Sequence, residues 1–336
     1  MTLKQALRMV IGTVVIASLV SLVSARAQTV ASQLEERDIP VTEFSALDVN
    51  GDFEVTVAKS DEYGVRVTVD QVLSPYIQVY VRAKVLYITY DSKSVPKDIR
   101  KLYKGRNAPQ PVFRAVVFVP ELNGVTLAGN ATVSGTEEFP ADRFELNLTD
   151  RAQVKGLTIN ANAAVLKIKK NAQAVLNMTV ANTIELETDN NANVRLNTNC
   201  KDLVINSSSS SVLTVSGQAE TANVAMGGST QLNMSYNCPT VAVNAEGSSK
   251  LVLVGQGQRI SLRGTRNGNI DASGFPVSDV NVEFTGSATA SVNTAEGALI
   301  EASLVGGSSL FFTGEPAFRI TKVVKSTLAP VGTPTR

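Results

Sequence analysis

The chain contains no histidine. That removes Ser-His-Asp and Cys-His nucleophilic catalysis and every His-ligated metal centre. Carboxylates are the remaining route to chemistry. Polysaccharide cleavage takes converging acids for acid–base work, often beside a basic residue. The internal repeat described below instead sets Lys167 beside Glu187, Lys169 beside Asp189, and Asp150 beside Lys170. Each acid then has an opposite charge as its neighbour, which reads as pairing on a solvated face. No repeat position carries acids in succession, so no catalytic residue, metal ligand or cofactor site is expected. The Gly-rich Asp nonapeptide of calcium-binding β-rolls is also missing.

A second group of residues points to binding. Segment 92–111 holds Lys93, Lys97, Arg100, Lys101, Lys104 and Arg106 against one acid, Asp98. Pro96 can start a short helix and Gly105 can stop it. Ile99, Leu102 and Tyr103 then share one face. Lys97, Arg100, Lys101, Lys104 and Arg106 form a candidate interaction patch for an anionic glycan, a lipid headgroup or a partner. The plainer reading is a solvated loop packed by its apolar side. Aromatics crowd the first third, from Phe44 to Phe118, and there is no Trp. They fill a core and cap, or present faces to a sugar.

The elements that position these residues follow from a five-residue pattern recurring about every twenty residues. It runs Gly129–Val133, Asp150–Val154, Lys170–Ala174, Asn190–Val194, Ser209–Leu213, Gly228–Leu232, Gly247–Leu251, Arg266–Ile270, Gly286–Ala290 and Gly306–Leu310. The third column is always small, from Ala131 to Ser308. The fourth is polar except Val212, and the fifth is apolar throughout. Small-in, polar-out, apolar-in is the period of a β-strand. A second apolar doublet precedes most copies, as in Leu146/Leu148 and Leu203/Ile205, so each coil carries at least two strands. The second column is mostly Asn and Ser. It predicts a positive-φ corner with side chains bonded between coils; a polar binding stripe is its functional reading.

The fold expected is all-β: a single right-handed parallel β-helix with about 19–21 residues per coil. Stacking at about 4.8 Å makes the ten registers a rod on the order of 45–50 Å long. Cys200 and Cys238 fall in one register two coils apart, with Ala219 between them. Their Cα atoms lie roughly 9–10 Å apart, too far for a disulfide. Two free, buried thiols are predicted.

Lys4 and Arg8, the apolar stretch Val10 to Val23 and Ala25-Arg26-Ala27 read as a secretory signal cleaved between Ala27 and Gln28. No later segment is apolar and long enough to span a membrane. Loss of Lys4, Arg8 and Arg26 moves the formal net charge from +1 to −2, which gives no case for nucleic acid. The organisation expected is a signal peptide at 1–27, a lead at 28–40 and the β-helix at 41–325. Within it, 41–127 forms irregular first coils and a cap with the basic insertion 92–111, and 128–314 the regular coils. A separate small β-domain is the alternative for 41–127. Residues 326–336 are a tail, disordered or ending the cap.

The opening segment Phe44-Ser-Ala-Leu-Asp-Val-Asn-Gly-Asp-Phe-Glu-Val-Thr-Val57, the stretch Leu86–Tyr90, the strand ending Val119-Pro120 and the Gly-Asn/Ser-Ala coils carry a resemblance. Together, over roughly 41–325, they resemble the autotransporter adhesin head GIN domain family, a domain of unknown function frequent in Bacteroidetes. The resemblance implies a parallel β-helix at the cell envelope and no established site residues. The 26 residues after Leu310 are too few for an outer-membrane barrel. The function expected is a non-enzymatic, exported adhesion or interaction module in the periplasm, at the surface or outside the cell. Its partner is a glycan or a cell-surface protein. A polysaccharide lyase or hydrolase and a periplasmic sensor or accessory domain are the alternatives.

Overall fold

The computed structural model describes residues 33–332. The expected cleavage site Ala27/Gln28, the rest of the expected export signal and the first part of the expected lead lie outside the described residues. The described chain is a parallel β-solenoid of about 10 turns. Each regular coil contributes one strand to each of two sheets. On one sheet, Gln173–Val180 pairs with Asn193–Asn199, which pairs with Val212–Gln218. On the other, Thr183–Asp189 pairs with Asp202–Ser207, which pairs with Thr221–Met226. We call these the amide face and the trough face, from their outward side chains.

The columns explain this packing. All ten third-column residues are buried, and so are all ten fifth-column residues. The fourth column faces outward, and even Val212 is 40 % exposed there. Each Leu, Ile or Val so buried contributes about 1.5–3 kcal/mol. Where the third column is Ser or Thr, a corner carbonyl can take its hydroxyl. Ser211 donates to the Ser208 carbonyl at 3.0 Å and Thr230 to the Gly227 carbonyl at 2.8 Å.

The corner differs from expectation. Positive φ belongs to the first column in every copy, from Gly129 (+74°) through Asp150 (+63°), Lys170 (+62°) and Arg266 (+57°) to Gly306 (+85°). In the second column only Asn191 and Gly307 share it. Coils are joined there mainly by backbone. The second-column N–H donates to the first-column carbonyl of the previous coil, as in Arg151 to Gly129 (2.9 Å), Asn171 to Asp150 (2.9 Å) and Ser248 to Gly228 (2.7 Å). Left-handed backbone turns that carbonyl along the solenoid axis. The expected side-chain ladder is reduced to contacts such as Asn191 to Asn171 at 3.4 Å.

The first third does not stack in chain order. Strands β1 (Leu34–Ile39), β2 (Ala46–Gly51), β3 (Glu54–Lys59), β4 (Gly64–Asp70), β5 (Ile77–Arg82), β6 (Val85–Tyr90), β7 (Phe113–Val119), β8 (Gly124–Gly129) and β9 (Thr132–Ser134) are all present. The coil β2–β3 is sandwiched: β2 lies between β6 and β8, and β3 between β7 and β9. Residues between β3 and β8 therefore fold outward as an end layer before the solenoid proceeds. Antiparallel pairings β1–β4, β4–β7 and β5–β6 complete that layer. Gly51 sits in register with Gly129, so Asn50-Gly51-Asp52 is an earlier corner, with Phe53 in the small-residue column.

At the other end, Ala317–Val324 and Thr327–Pro330 form the last strands. Residues 326–336, read from sequence as a disordered tail or the end of a cap, thus begin with a paired strand. Phe318, Ile320 and Val323 continue the interior columns but stay 41–44 % exposed. Cys200, Ala219 and Cys238 share one register, as their bonds to the Gln218, Asn237 and Gln256 carbonyls show. Both thiols are free. Cys238 is buried, whereas Cys200 is only half-buried, a correction to the expected pair of buried thiols. From the Cys238 coil Tyr236 reaches past Gly217 of the intervening coil to Cys200, with its hydroxyl 3.6 Å from Sγ and donating to the Gln218 carbonyl at 3.0 Å.

Candidate interaction surfaces

The basic insertion folds as α1 (Lys97–Leu102), with Pro96 at its N-cap. Val95 is buried, and Ile99 and Tyr103 pack on the core. This i, i+4, i+8 spacing is one helical face. Leu102, expected on that face, is instead 44 % exposed, and Val95, just before the helix, is the buried residue on this side. Lys97, Arg100 and Lys101 stand on α1, and Lys104 and Arg106 in the following loop; all five are exposed. None of the five makes an ion pair among the described residues.

Asp70, fully buried at the end of β4, anchors the end of this insertion. Its Oδ2 accepts from the Val112 N–H at 2.9 Å. Burial, then the neighbouring Asp70 carboxylate, pushes the Tyr103 hydroxyl up to about 12. The aromatics of this region mainly fill the core, as Phe44, Phe53 and Phe113 do. Tyr80 is an exception, 45 % exposed and stacked on Tyr87 with centroids 5.0 Å apart.

The charged columns pair across coils, though not always straight across. Lys170 binds Asp150 at 2.6 Å, and its hydrogen bond holds the Asp150 carboxyl below the usual carboxylate range. Lys169 reaches diagonally to Glu187 at 2.6 Å. Asp189, expected beside Lys169, is instead held low by the Ser209 and Ser208 hydroxyls, at 2.6 and 2.8 Å. Two short hydroxyl donors at a corner outcompete one mobile ammonium. Further inter-coil pairs join Arg259 to Asp279 (2.7 Å), Arg263 to Glu283 (3.0 Å) and Arg319 to Glu301. Among the described residues no three of Cys, Asp and Glu converge in a metal-holding arrangement. No described helix is long and apolar enough to cross a membrane.

The trough face holds a feature that motif reading missed. Three cavities, of about 670, 500 and 310 Å³, lie along this one sheet and share Asn244 in their linings. Their floor is Val204 and Asn206, then Asn223 and Ala225, then Ala242 and Asn244, on successive strands. All six are uncharged and short. Lys167, Glu185 and Glu187 rise at one end, and Arg263, Glu283 and Glu301 at the other. The signal was available, because these residues alternate with the buried doublets such as Leu203/Ile205.

The opposite sheet presents Asn193, Asn197, Thr214, Ser216, Gln231, Asn233 and Ser235 outward. Over these strands Arg195 is the one charge, with Lys155 on one side and Lys250 and Asp271 on the other.

No curated protein sequence matches the chain. Among solved structures, a "putative adhesin" from Parabacteroides distasonis ATCC 8503 is 20% identical, with a TM-score of 0.42 over 90% of this chain and 98% of that one. A "putative lipid binding protein" from the same organism is 16% identical, with a TM-score of 0.35 and the same coverage. A "putative adhesin" from Parabacteroides merdae ATCC 43184 is 19% identical, with a TM-score of 0.33 over 90% of this chain and 97% of that one. A family model matches residues 43–183 and 220–316, spanning the sandwiched first coil, most of the end layer and most of the regular coils. The chain therefore belongs to the family described as "Putative auto-transporter adhesin, head GIN domain".

Proposed function

We propose that the protein is a non-enzymatic adhesion or interaction module, exported to the periplasm, the cell surface or the medium. Its sheet faces engage a glycan or a cell-surface protein. The observation that supports this reading most is the long, regular amide face together with the uncharged middle of the trough face, each repeating short polar side chains from coil to coil. A solenoid offers extended surface of this kind. The acids that a glycosidase needs at a fixed separation are here taken up in pairs with Lys, Arg and corner hydroxyls.

The test measures retention of the purified protein on immobilised polysaccharides, peptidoglycan and whole cells, with product release recorded in the same assay. Retention without product is the expected outcome. Release of shortened chains would overturn the non-enzymatic reading and direct attention to Asp150, Glu187 and Asp189.

A second reading is an accessory domain for a membrane system. It draws on the unpaired exposed charges of Lys97, Arg100, Lys101, Lys104 and Arg106. Charge reversal at Lys97, Arg100 and Lys101 is then expected to abolish co-purification with the membrane fraction at low salt. Unchanged co-purification counts against it.

A further inference from the structure

We propose that the trough face is the binding site for an uncharged, linear polyhydroxyl chain lying along the solenoid axis. The proposal rests on the interaction-module reading above and names the face and the ligand class.

The first argument is shape. The three cavities share lining residues: Asn244 and Glu246 join the two larger ones, and Asn206, Ala225 and Asn244 join the two smaller. They are therefore segments of one trough. It runs across nine successive strands, Ala164–Lys169 within the strand Gln153–Lys169, then Thr183–Asp189, Asp202–Ser207, Thr221–Met226, Thr240–Ala245, Arg259–Gly264, Asp279–Thr285, Leu299–Val305 and Ala317–Val324. At about 4.8 Å per strand its length is roughly 38 Å. A linear pyranose chain advances by close to one coil spacing per ring, so successive rings meet equivalent floor positions.

The second argument is charge. The floor positions in the middle carry none, with Glu246 at their edge, and several of the flanking charges are paired. Arg263 is paired with Glu283 at 3.0 Å and Lys169 with Glu187 at 2.6 Å. An anionic polymer would need an excess of Lys and Arg, which this face lacks.

The third argument is hydrogen-bonding capacity. The side-chain amides of Asn206 and Asn223 are exposed and have no protein partner among the described residues. Asn244 donates only at 3.3 Å, to Glu246. A primary amide offers donor and acceptor together, as a sugar hydroxyl does. The backbone of these strands is already spent on the ladder to both neighbours, which closes the β-augmentation route to an extended peptide. Val204, Ala225 and Ala242 are too small an apolar area for a lipid tail.

The experiment titrates the purified full chain, by calorimetry, with neutral linear β-1,4-linked oligosaccharides of two to eight rings. A matched series of uronic-acid oligomers runs in parallel. Affinity is expected to rise with length and level off near the trough's span, with the uronic series weaker. The double variant Asn206→Ala/Asn223→Ala is expected to lose about ten-fold or more. Ala225→Lys, which raises the floor, is expected to abolish binding, and Asn233→Ala on the opposite face to leave it unchanged. Every substituted side chain points to solvent, and circular dichroism verifies folding.

Oligosaccharide binding that ignores the trough substitutions overturns the trough assignment and leaves the module reading intact. So does whole-cell adhesion without any oligosaccharide binding. Loss of both cell adhesion and glycan or protein retention in the unmodified chain overturns the module reading itself.

Discussion

At the residue scale, the solenoid depends on a few backbone positions that tolerate no side chain. Gly217 has φ +129°, and a Cβ there would lie 1.8 Å from the Thr198 carbonyl oxygen. Gly217→Ala must displace a neighbouring coil and is expected to cost about 3 kcal/mol in urea unfolding. Gly156 also has positive φ (+82°) but meets nothing within 4 Å. Its alanine variant carries only the left-handed strain of about 1 kcal/mol. Equal losses at the two sites would show that the close approach is relieved cheaply. The converse case is Arg266, a long side chain held at φ +57° in a corner that five other copies fill with glycine. Arg266→Gly is expected to stabilise by about 0.5–1 kcal/mol, the relieved strain partly offset by glycine's greater unfolded entropy.

The buried thiol yields a pH prediction at the same scale. Burial pushes Cys238 from an ordinary value of 9.0 up to about 11. The fold therefore favours the protonated form, and the unfolded chain ionises first. This contribution to stability is present below about pH 9 and is lost as pH rises towards 11. Urea midpoints measured from pH 8 to 11 should fall, and the fall should be shallower in Cys238→Ala. At pH 8 the native protein should react with iodoacetamide far more slowly than the unfolded chain.

At the element scale, α1 divides into a face that holds the end layer together and a face that does not. Val95→Ala removes a fully buried side chain and is expected to destabilise by about 1–3 kcal/mol. Lys97→Glu, Arg100→Glu and Lys101→Glu, all exposed, should each stay within about 0.5 kcal/mol. A large loss of stability from the charge reversals would mean that the basic face makes structural contacts. The helix also shows how far an element could be read beforehand. Its place, its Pro start and the inward side of Ile99 and Tyr103 were legible from spacing. Leu102 was misplaced because a six-residue helix has too few turns to define a stripe, and Val95, just before it, lies nearer the core. Strands β2, β3 and β6 were easier, since alternation over six residues is enough to set a face, whereas β1 lies in the stretch read as a lead. The corner was misread in a revealing way. Asn and Ser drew attention to the second column by composition, but the left-handed residue is the one before, where Asp, Lys, Asn, Ser and Arg hide the glycine signal in half the copies.

At the scale of the whole molecule, repetition makes stability a sum of coils and interfaces. Val212 and Gln231 occupy equivalent positions one coil apart. Deleting residues 212–230 therefore removes one complete coil and joins Ser211 to Gln231 in register. The shortened chain is expected to keep its β-rich circular dichroism and a cooperative unfolding transition. A deletion of half that length breaks the inside–outside alternation around the coil and should not fold. Failure of the one-coil deletion would mean that coils are not interchangeable.

What the sequence determined by itself was the local periodicity: two strands per coil, the small, polar and apolar columns, and the common register of Cys200, Ala219 and Cys238. These follow from side-chain alternation and a fixed repeat length, properties that neighbours in the chain already encode. The tertiary structure decided what depends on residues distant in the chain meeting. It set β2 and β3 between later strands, so that the first coil lies inside the end layer. It sent Asp189 to Ser208 and Ser209 rather than to Lys169. It also lined up Asn206, Asn223 and Asn244 as the floor of one trough. No column motif marks that floor, because a trough is made by short side chains on several coils lying between longer ones, a difference in height that exists only once the coils are stacked.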